Sequence, residues 1–121
     1  MQGTYISSNF YSAGGDDADK ANRVTFPFPV QLVYVSALCD ANTSFILDVG
    51  YGGASPDADA YLDGVTVTGG TAPTVYDRSD FVGGQPIHIA ANTIITVTID
   101  HDGGEGTDGT NMIVNLLFTE G

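Results

Sequence analysis

Cationic side chains are scarce in this chain of 121 residues. Three Lys and Arg residues (Lys20, Arg23 and Arg78) stand against fifteen Asp and Glu, for a formal net charge of -12 at pH 7. Because binding to phosphate backbones or anionic lipids needs clustered basic groups, we expect neither nucleic acid nor a membrane as a partner. A basic protein surface, divalent cations or a concentrated salt medium would relieve the repulsion among the carboxylates, although their role can also be solubility alone.

Cysteine and long apolar runs are equally rare. The single cysteine, Cys39, excludes an internal disulfide, and its place in the apolar run LVYVSALC predicts a buried thiol. No run approaches the roughly 18 apolar residues of a membrane span, and the start MQGTYISSNF lacks the features of a signal peptide. We therefore expect a soluble chain, which its length limits to one domain.

Recognisable catalytic motifs are missing as well. The serines form no nucleophile elbow, and no glycine loop followed by lysine is present to cradle phosphate. His88 alternates with Ile87 and Ile89, which points it away from a core, and His101 lies beside acidic residues in a glycine-rich segment. We predict that the protein is not an enzyme and has no catalytic or cofactor-binding residues.

Apolar residues recur with a period of two, which predicts β-strands. Phe45, Leu47 and Val49 alternate with polar or opposite-facing neighbours, and sixteen glycines argue against helices. Turn-forming clusters separate the runs. The predicted strands cover residues 4 to 11, 23 to 28, 30 to 39, 43 to 50, 60 to 68, 74 to 78, 86 to 90, 93 to 99 and 111 to 119.

Short strands at near-even spacing predict an all-β, two-sheet antiparallel sandwich of about eight strands. Residues 23–121 form the predicted domain, and the polar residues 1–22 form an arm or an edge strand. Pro27 and Pro29 place their segment at a sheet edge or a crossover. Strands 30–39 and 111–119 are apolar on both faces, so we expect them to be central and covered by a loop or by a second subunit.

The acidic, glycine-rich stretch DHDGGEGTDGTN spans residues 100–111. It resembles one unit of a calcium-binding nonapeptide, but that motif works by repetition and occurs here once. We predict the tip of a hairpin joining residues 95–100 with 111–119. As the alternative, Asp100, Asp102 and Asp108 are the candidate ligands of a calcium ion.

Two further groups of residues suggest binding. Acidic residues also cluster at Asp16, Asp17 and Asp19, and again in the run Asp57, Asp59 and Asp63, where loops could converge on a cation. Tyrosines in or beside loops suit either a sugar-binding site or a protein interface. The absence of tryptophan makes sugar binding the less favoured of the two.

Several segments together resemble a known family. VTFPFPVQLVYVSA at residues 24–37, SFILDVG at 44–50, ANTIITVTID at 91–100 and the apolar strand 111–119 are similar to small jelly-roll domains of tailed-phage structural proteins. The resemblance covers residues 24–119. It implies a jelly-roll fold and a virion role, most similar to that of a capsid decoration (cement) protein, with a head or tail fibre domain as an alternative.

A cement role would locate the protein on the capsid surface after synthesis in the host cytoplasm. Its partner would be the major capsid protein, and its own state a homo-oligomer, with a trimer favoured. The resemblance implies no catalytic residues. From a different class, a calcium-dependent carbohydrate-binding module is the alternative function.

Overall fold

A computed structural model describes residues 5–14, 20–103 and 107–121. The described residues form no helix, and therefore none that could cross a membrane. Residues in the described ranges form ten strands, which confirms the predicted all-β class. They are β1 (Tyr5–Ser12), β2 (Lys20–Val24), β3 (Val30–Leu38), β4 (Thr43–Tyr51), β5 (Asp57–Thr68), β6 (Thr74–Tyr76), β7 (Ile87–Ile89), β8 (Ile95–Asp100), β9 (Thr107–Asp108) and β10 (Met112–Glu120).

The strands form two sheets packed face to face. Sheet I has the order β1-β10-β3-β6, and β7 also pairs with β3. Sheet II has the order β2-β8-β4-β5, and the two-residue β9 pairs with β4 in parallel. Every other pairing is antiparallel. This interleaving of early and late strands within each sheet is the predicted jelly roll, in which β6 and β7 share one strand position.

The core lies between the sheets and follows the alternation of the sequence. Phe45, Leu47 and Val49 of β4 face it from sheet II, and Leu116 and Phe118 of β10 face it from sheet I, all fully buried. Burial of such a side chain contributes about 2 kcal/mol each. The period-two pattern therefore predicts the inner face of β4 correctly.

The β2–β3 connection carries the two prolines. β2 runs over residues 20–24, not the predicted 23–28, and the chain crosses from sheet II to sheet I between Val24 and Val30. Pro27 and Pro29 lie in this crossover, as predicted. Phe26, between them and β2, packs edge-on against Phe118 with ring centroids 5.0 Å apart, so the crossover also closes one end of the core.

The predicted hairpin between residues 95–100 and 111–119 is wrong. β8 lies in sheet II between β2 and β4, whereas β10 lies in sheet I between β1 and β3. The alternation of apolar residues predicts which face of a strand is buried, but it does not predict which strand lies beside it. Two consecutive strands with buried faces can therefore lie in different sheets, on opposite sides of the core. The stretch 100–111 therefore connects the two sheets.

Candidate functional site

The outer face of sheet I carries most of the exposed large apolar side chains. The central position predicted for the two-sided strands is confirmed, because β10 lies between β1 and β3, and β3 between β10 and the β6/β7 position. No described residue is packed over this face as a further layer. We call it the tyrosine face, defined by five side chains at least 38 % exposed: Tyr5, Tyr11, Tyr34, Val75 and Ile113.

Charged residues are almost absent from the strands of sheet I. The five strands of sheet I contain a single charged residue, Glu120 at the end of β10, although the chain carries fifteen carboxylates. The strands of sheet II contain six aspartates together with Lys20 and Arg23. The outer face also presents polar side chains, with Asn9, Asn115 and Ser36 in one row across β1, β10 and β3. A surface with three exposed tyrosines and almost no charge in its strands has the aromatic-rich, charge-depleted composition of a protein interface.

A chain of hydrogen bonds fixes the corner of the tyrosine face at Tyr11. Tyr11 Oη donates to Asn111 Oδ1 at 2.5 Å, and Asn111 Nδ2 donates to Asp40 Oδ2 at 2.8 Å. Thr110 Oγ1 donates to the same Asp40 oxygen at 2.7 Å. The turn after β3 thus holds the end of the 100–111 connection and orients the Tyr11 ring.

A pocket of about 400 Å³ lies at the opposite corner of the face. It occurs where β3 has no paired neighbour, because β7 pairs with residues 30–32 and β6 with residues 35–37. Asp77 in its wall accepts hydrogen bonds from the Ser79 backbone N–H and hydroxyl, which lower the pKa of this exposed carboxyl. The pocket is lined by Tyr5, Val33, Tyr34, Asp77, Arg78, Pro86 and Thr119.

The outer side of sheet II carries an acidic cluster. Carboxylate oxygens of Asp48 on β4 and of Asp59 and Asp63 on β5 all lie within 4.8 Å of one another. A bulge produces this arrangement: Leu47 pairs with Val65 but Val49 pairs with Leu62, so Asp48 faces two residues of β5. Asp48 Oδ1 accepts the Gly64 backbone N–H at 2.7 Å, and Gly64 adopts the positive φ of 56° that this turn needs.

The cluster perturbs two of the carboxyls on this side. Partial burial raises the pKa of Asp48, the hydrogen bond from Gly64 opposes that rise, and the charges of Asp59 and Asp63 add to it. A side-chain hydrogen bond with Asp59 raises the pKa of the exposed Asp57. Carboxylates at such spacing offer hard oxygen ligands to a divalent cation, but exposed aspartates also cluster without one.

The predicted calcium ligands lie elsewhere. Asp100 ends β8 and is half-buried, Asp102 is exposed in the following turn, and Asp108 is exposed in β9. Among the described residues, these three are not brought within 4.8 Å of one another as the acidic cluster is. Calcium binding there stays a prediction, as does the role of Asp16, Asp17 and Asp19, which lie outside the described residues.

The sequence predicts two members of the acidic cluster, Asp59 and Asp63, but not Asp48. The run at residues 57–63 is visible as a pattern, whereas Asp48 joins it only through the register of β4 with β5. Cys39 is buried at 2 % exposure, as predicted, and His88 is exposed on β7.

Comparison of the chain with known protein families, with curated proteins and with solved structures finds no match.

Proposed function

We propose that this chain is a non-enzymatic virion structural protein that binds the outer surface of a phage capsid and reinforces contacts between capsid subunits. The observation that carries the proposal is the tyrosine face: a sheet surface with three exposed tyrosines, whose strands contain one charged residue on a chain of net charge -12. The family resemblance supplies the class of partner, and the jelly-roll topology agrees with it. The major capsid protein is the proposed partner.

The proposed mechanism is mechanical. Four strand positions spaced about 4.8 Å apart, over about seven residues at 3.4 Å each, give the tyrosine face an area of about 450 Å². Buried across a seam between two capsid subunits, this area and its tyrosines would have to be exposed again before the subunits could separate. Because a standard interface buries about 800 Å² per partner, we expect loops or a second copy to extend the contact.

Adding the purified protein to undecorated heads tests this proposal. We expect saturable binding and an increase in the resistance of the heads to heat and to chelators. Heads that neither retain the protein nor gain resistance would contradict the cement role. If the chain is instead a head or tail fibre domain, labelling of the protein in virions should locate it at a fibre. The sedimentation mass of the purified protein tests the trimer that the resemblance implies.

The pocket favours a second candidate, carbohydrate binding. Two tyrosines can stack on a sugar ring, while the Arg78 guanidinium and the Asp77 carboxylate can bond to hydroxyls, and about 400 Å³ lies in the size range of ligand sites. A glycan array tests this function, and calorimetry with and without calcium tests its calcium dependence. Arg78→Ala should abolish sugar binding and leave binding to heads unchanged, which separates the two candidates.

A further inference from the structure

The four sheet edges of the described molecule are protected to very different degrees. Sheet edges expose unpaired backbone groups, and proteins block them with charges, bulges or very short strands. β5 carries Asp57, Asp59 and Asp63 and shifts register twice against β4. β2 is five residues long and contains Lys20 and Arg23, and the opposite edge of sheet I is divided between β6 and β7, of three residues each.

β1 has none of these protections. It is eight residues long, contains no charged residue and pairs with β10 without a register shift. Within the described ranges, its backbone makes no backbone hydrogen bond other than those to β10. In a chain with fifteen carboxylates, an uncharged and regular edge strand is the place where another strand can be added at the lowest electrostatic cost.

The sequence of β1 reads similarly in both directions around Ser8. Residues directly opposite each other in antiparallel strands have their side chains on the same face of the sheet. A two-fold axis that relates two β1 strands must therefore pass through one residue and not between two residues. An axis at Ser8 places Tyr5 opposite the partner's Tyr11 on the outer face and Ile6 opposite the partner's Phe10 on the inner face. Axes at Ser7 or Asn9 would instead place apolar residues opposite polar ones.

From this self-complementarity we infer that two copies of the chain pair through β1, antiparallel and centred on Ser8. The contact is isologous and closes as a dimer, in contrast to the trimer implied by the resemblance. A two-fold axis perpendicular to the sheet joins the two copies of sheet I into one continuous sheet. The two tyrosine faces then form one surface of about 900 Å², twice the single-chain estimate.

Sedimentation of the purified full chain at physiological ionic strength tests this inference without any capsid. We expect a mass near twice the 12.6 kDa of the chain at high concentration. The double variant Ser7→Asp/Asn9→Asp places carboxylates directly opposite one another across the pair, and we expect association to weaken about tenfold or more. Thr66→Asp/Thr68→Asp adds the same charge at the same spacing on exposed positions of edge strand β5 and should leave association unchanged.

Cross-linking tests the register. Ser8→Cys places two thiols on facing positions with Cβ atoms about 5 Å apart, close to the geometry of a disulfide, whereas Ser7→Cys places them diagonally, about 7–8 Å apart. We expect efficient dimer formation under mild oxidation only for Ser8→Cys, because native Cys39 is buried. Circular dichroism of each variant checks that the fold is intact.

A monomer at all concentrations would overturn the inference. An oligomer unaffected by Ser7→Asp/Asn9→Asp, or weakened equally by the β5 control, would do so too, as would preferential cross-linking of Ser7→Cys. Because none of these measurements uses heads, failure of the cement proposal and failure of the dimer are distinguishable.

Discussion

The Asp48 carboxylate accepts the Gly64 backbone N–H at 2.7 Å and thereby closes the bulge that gathers the acidic cluster. The same side chain is half-buried beside two like charges, and its pKa is raised above the ordinary value of 3.8. One residue therefore stabilises the backbone turn as an acceptor and destabilises the fold as a charge.

Asp48→Asn should raise the stability of the protein at pH 7. In the folded chain Asp48 keeps its proton to a higher pH than in the unfolded chain, so its contribution to stability falls as the pH rises from 3.8 through the raised pKa. Asparagine keeps the acceptor for Gly64 without the charge, and we expect a gain of about 0.5 kcal/mol or less, given the solvent exposure.

Thermal unfolding between pH 3 and pH 8 measures this effect. The wild-type and variant curves should converge at the acid end of the range. Asp102→Asn, which removes the same charge from an exposed turn residue, is the control and should change the melting temperature less. A lower melting temperature for Asp48→Asn at pH 7 would contradict the prediction.

Gly69→Ala should be strongly destabilising, whereas Gly70→Ala should not. A Cβ on Gly69 would collide with the backbone carbonyl of Asp40, while one on Gly70 meets nothing within 4 Å. Because the turn after β3 would have to move, we expect Gly69→Ala to cost about 2–3 kcal/mol, against a change within about 0.5 kcal/mol for Gly70→Ala. Denaturant unfolding of both variants measures these changes in the free energy of unfolding. Equal destabilisation by the two substitutions would contradict the close approach of Gly69 to the Asp40 carbonyl.

Cys39 should be inert to thiol reagents in the folded protein. Its sulfur lies 3.5 Å from the Thr43 carbonyl oxygen and is enclosed by core side chains, with 2 % of the residue exposed. We expect labelling to follow the unfolding curve, with no reaction in native buffer. A Ser79→Cys variant provides an exposed thiol as the control that should be labelled in native buffer. Rapid labelling of Cys39 in the native protein would contradict the prediction and show that the β3–β4 end of the core opens.

Tyr34→Ser and Ile113→Ser should weaken binding to undecorated heads and leave the fold intact. Tyr34 is 45 % and Ile113 38 % exposed on central strands, so we expect each substitution to cost about 1–2 kcal/mol of folding stability, which the fold tolerates, whereas a buried interface anchor contributes about 2 kcal/mol to binding. Val82→Ser, an exposed apolar residue outside the face, is the control. Equal binding by all three variants would remove the tyrosine face from the proposed contact.

The sequence predicted inner faces better than neighbours. Alternation alone places Phe45, Leu47 and Val49 on one face of a strand, and all three are fully buried. Pairing partners depend on contacts far apart in sequence, which is why the predicted hairpin of β8 and β10 is wrong and the two strands lie in different sheets. Asp48 could not be assigned to the acidic cluster for the same reason, since the bulge between β4 and β5 is what brings it close to Asp59 and Asp63.

Segregation of charge between the two sheets has a consequence for how the molecule approaches any surface. Six of the ten described aspartates lie in the strands of sheet II, whereas the strands of sheet I contain Glu120 as their one charged residue, so the described strands carry unequal charge on the two sides of the sandwich. In the field of a negatively charged shell it would rotate during diffusion so that sheet II points outward and the tyrosine face arrives first. Because the chain carries a net charge of -12, added salt would screen its overall repulsion from such a shell and speed the encounter, while weakening the preferred orientation.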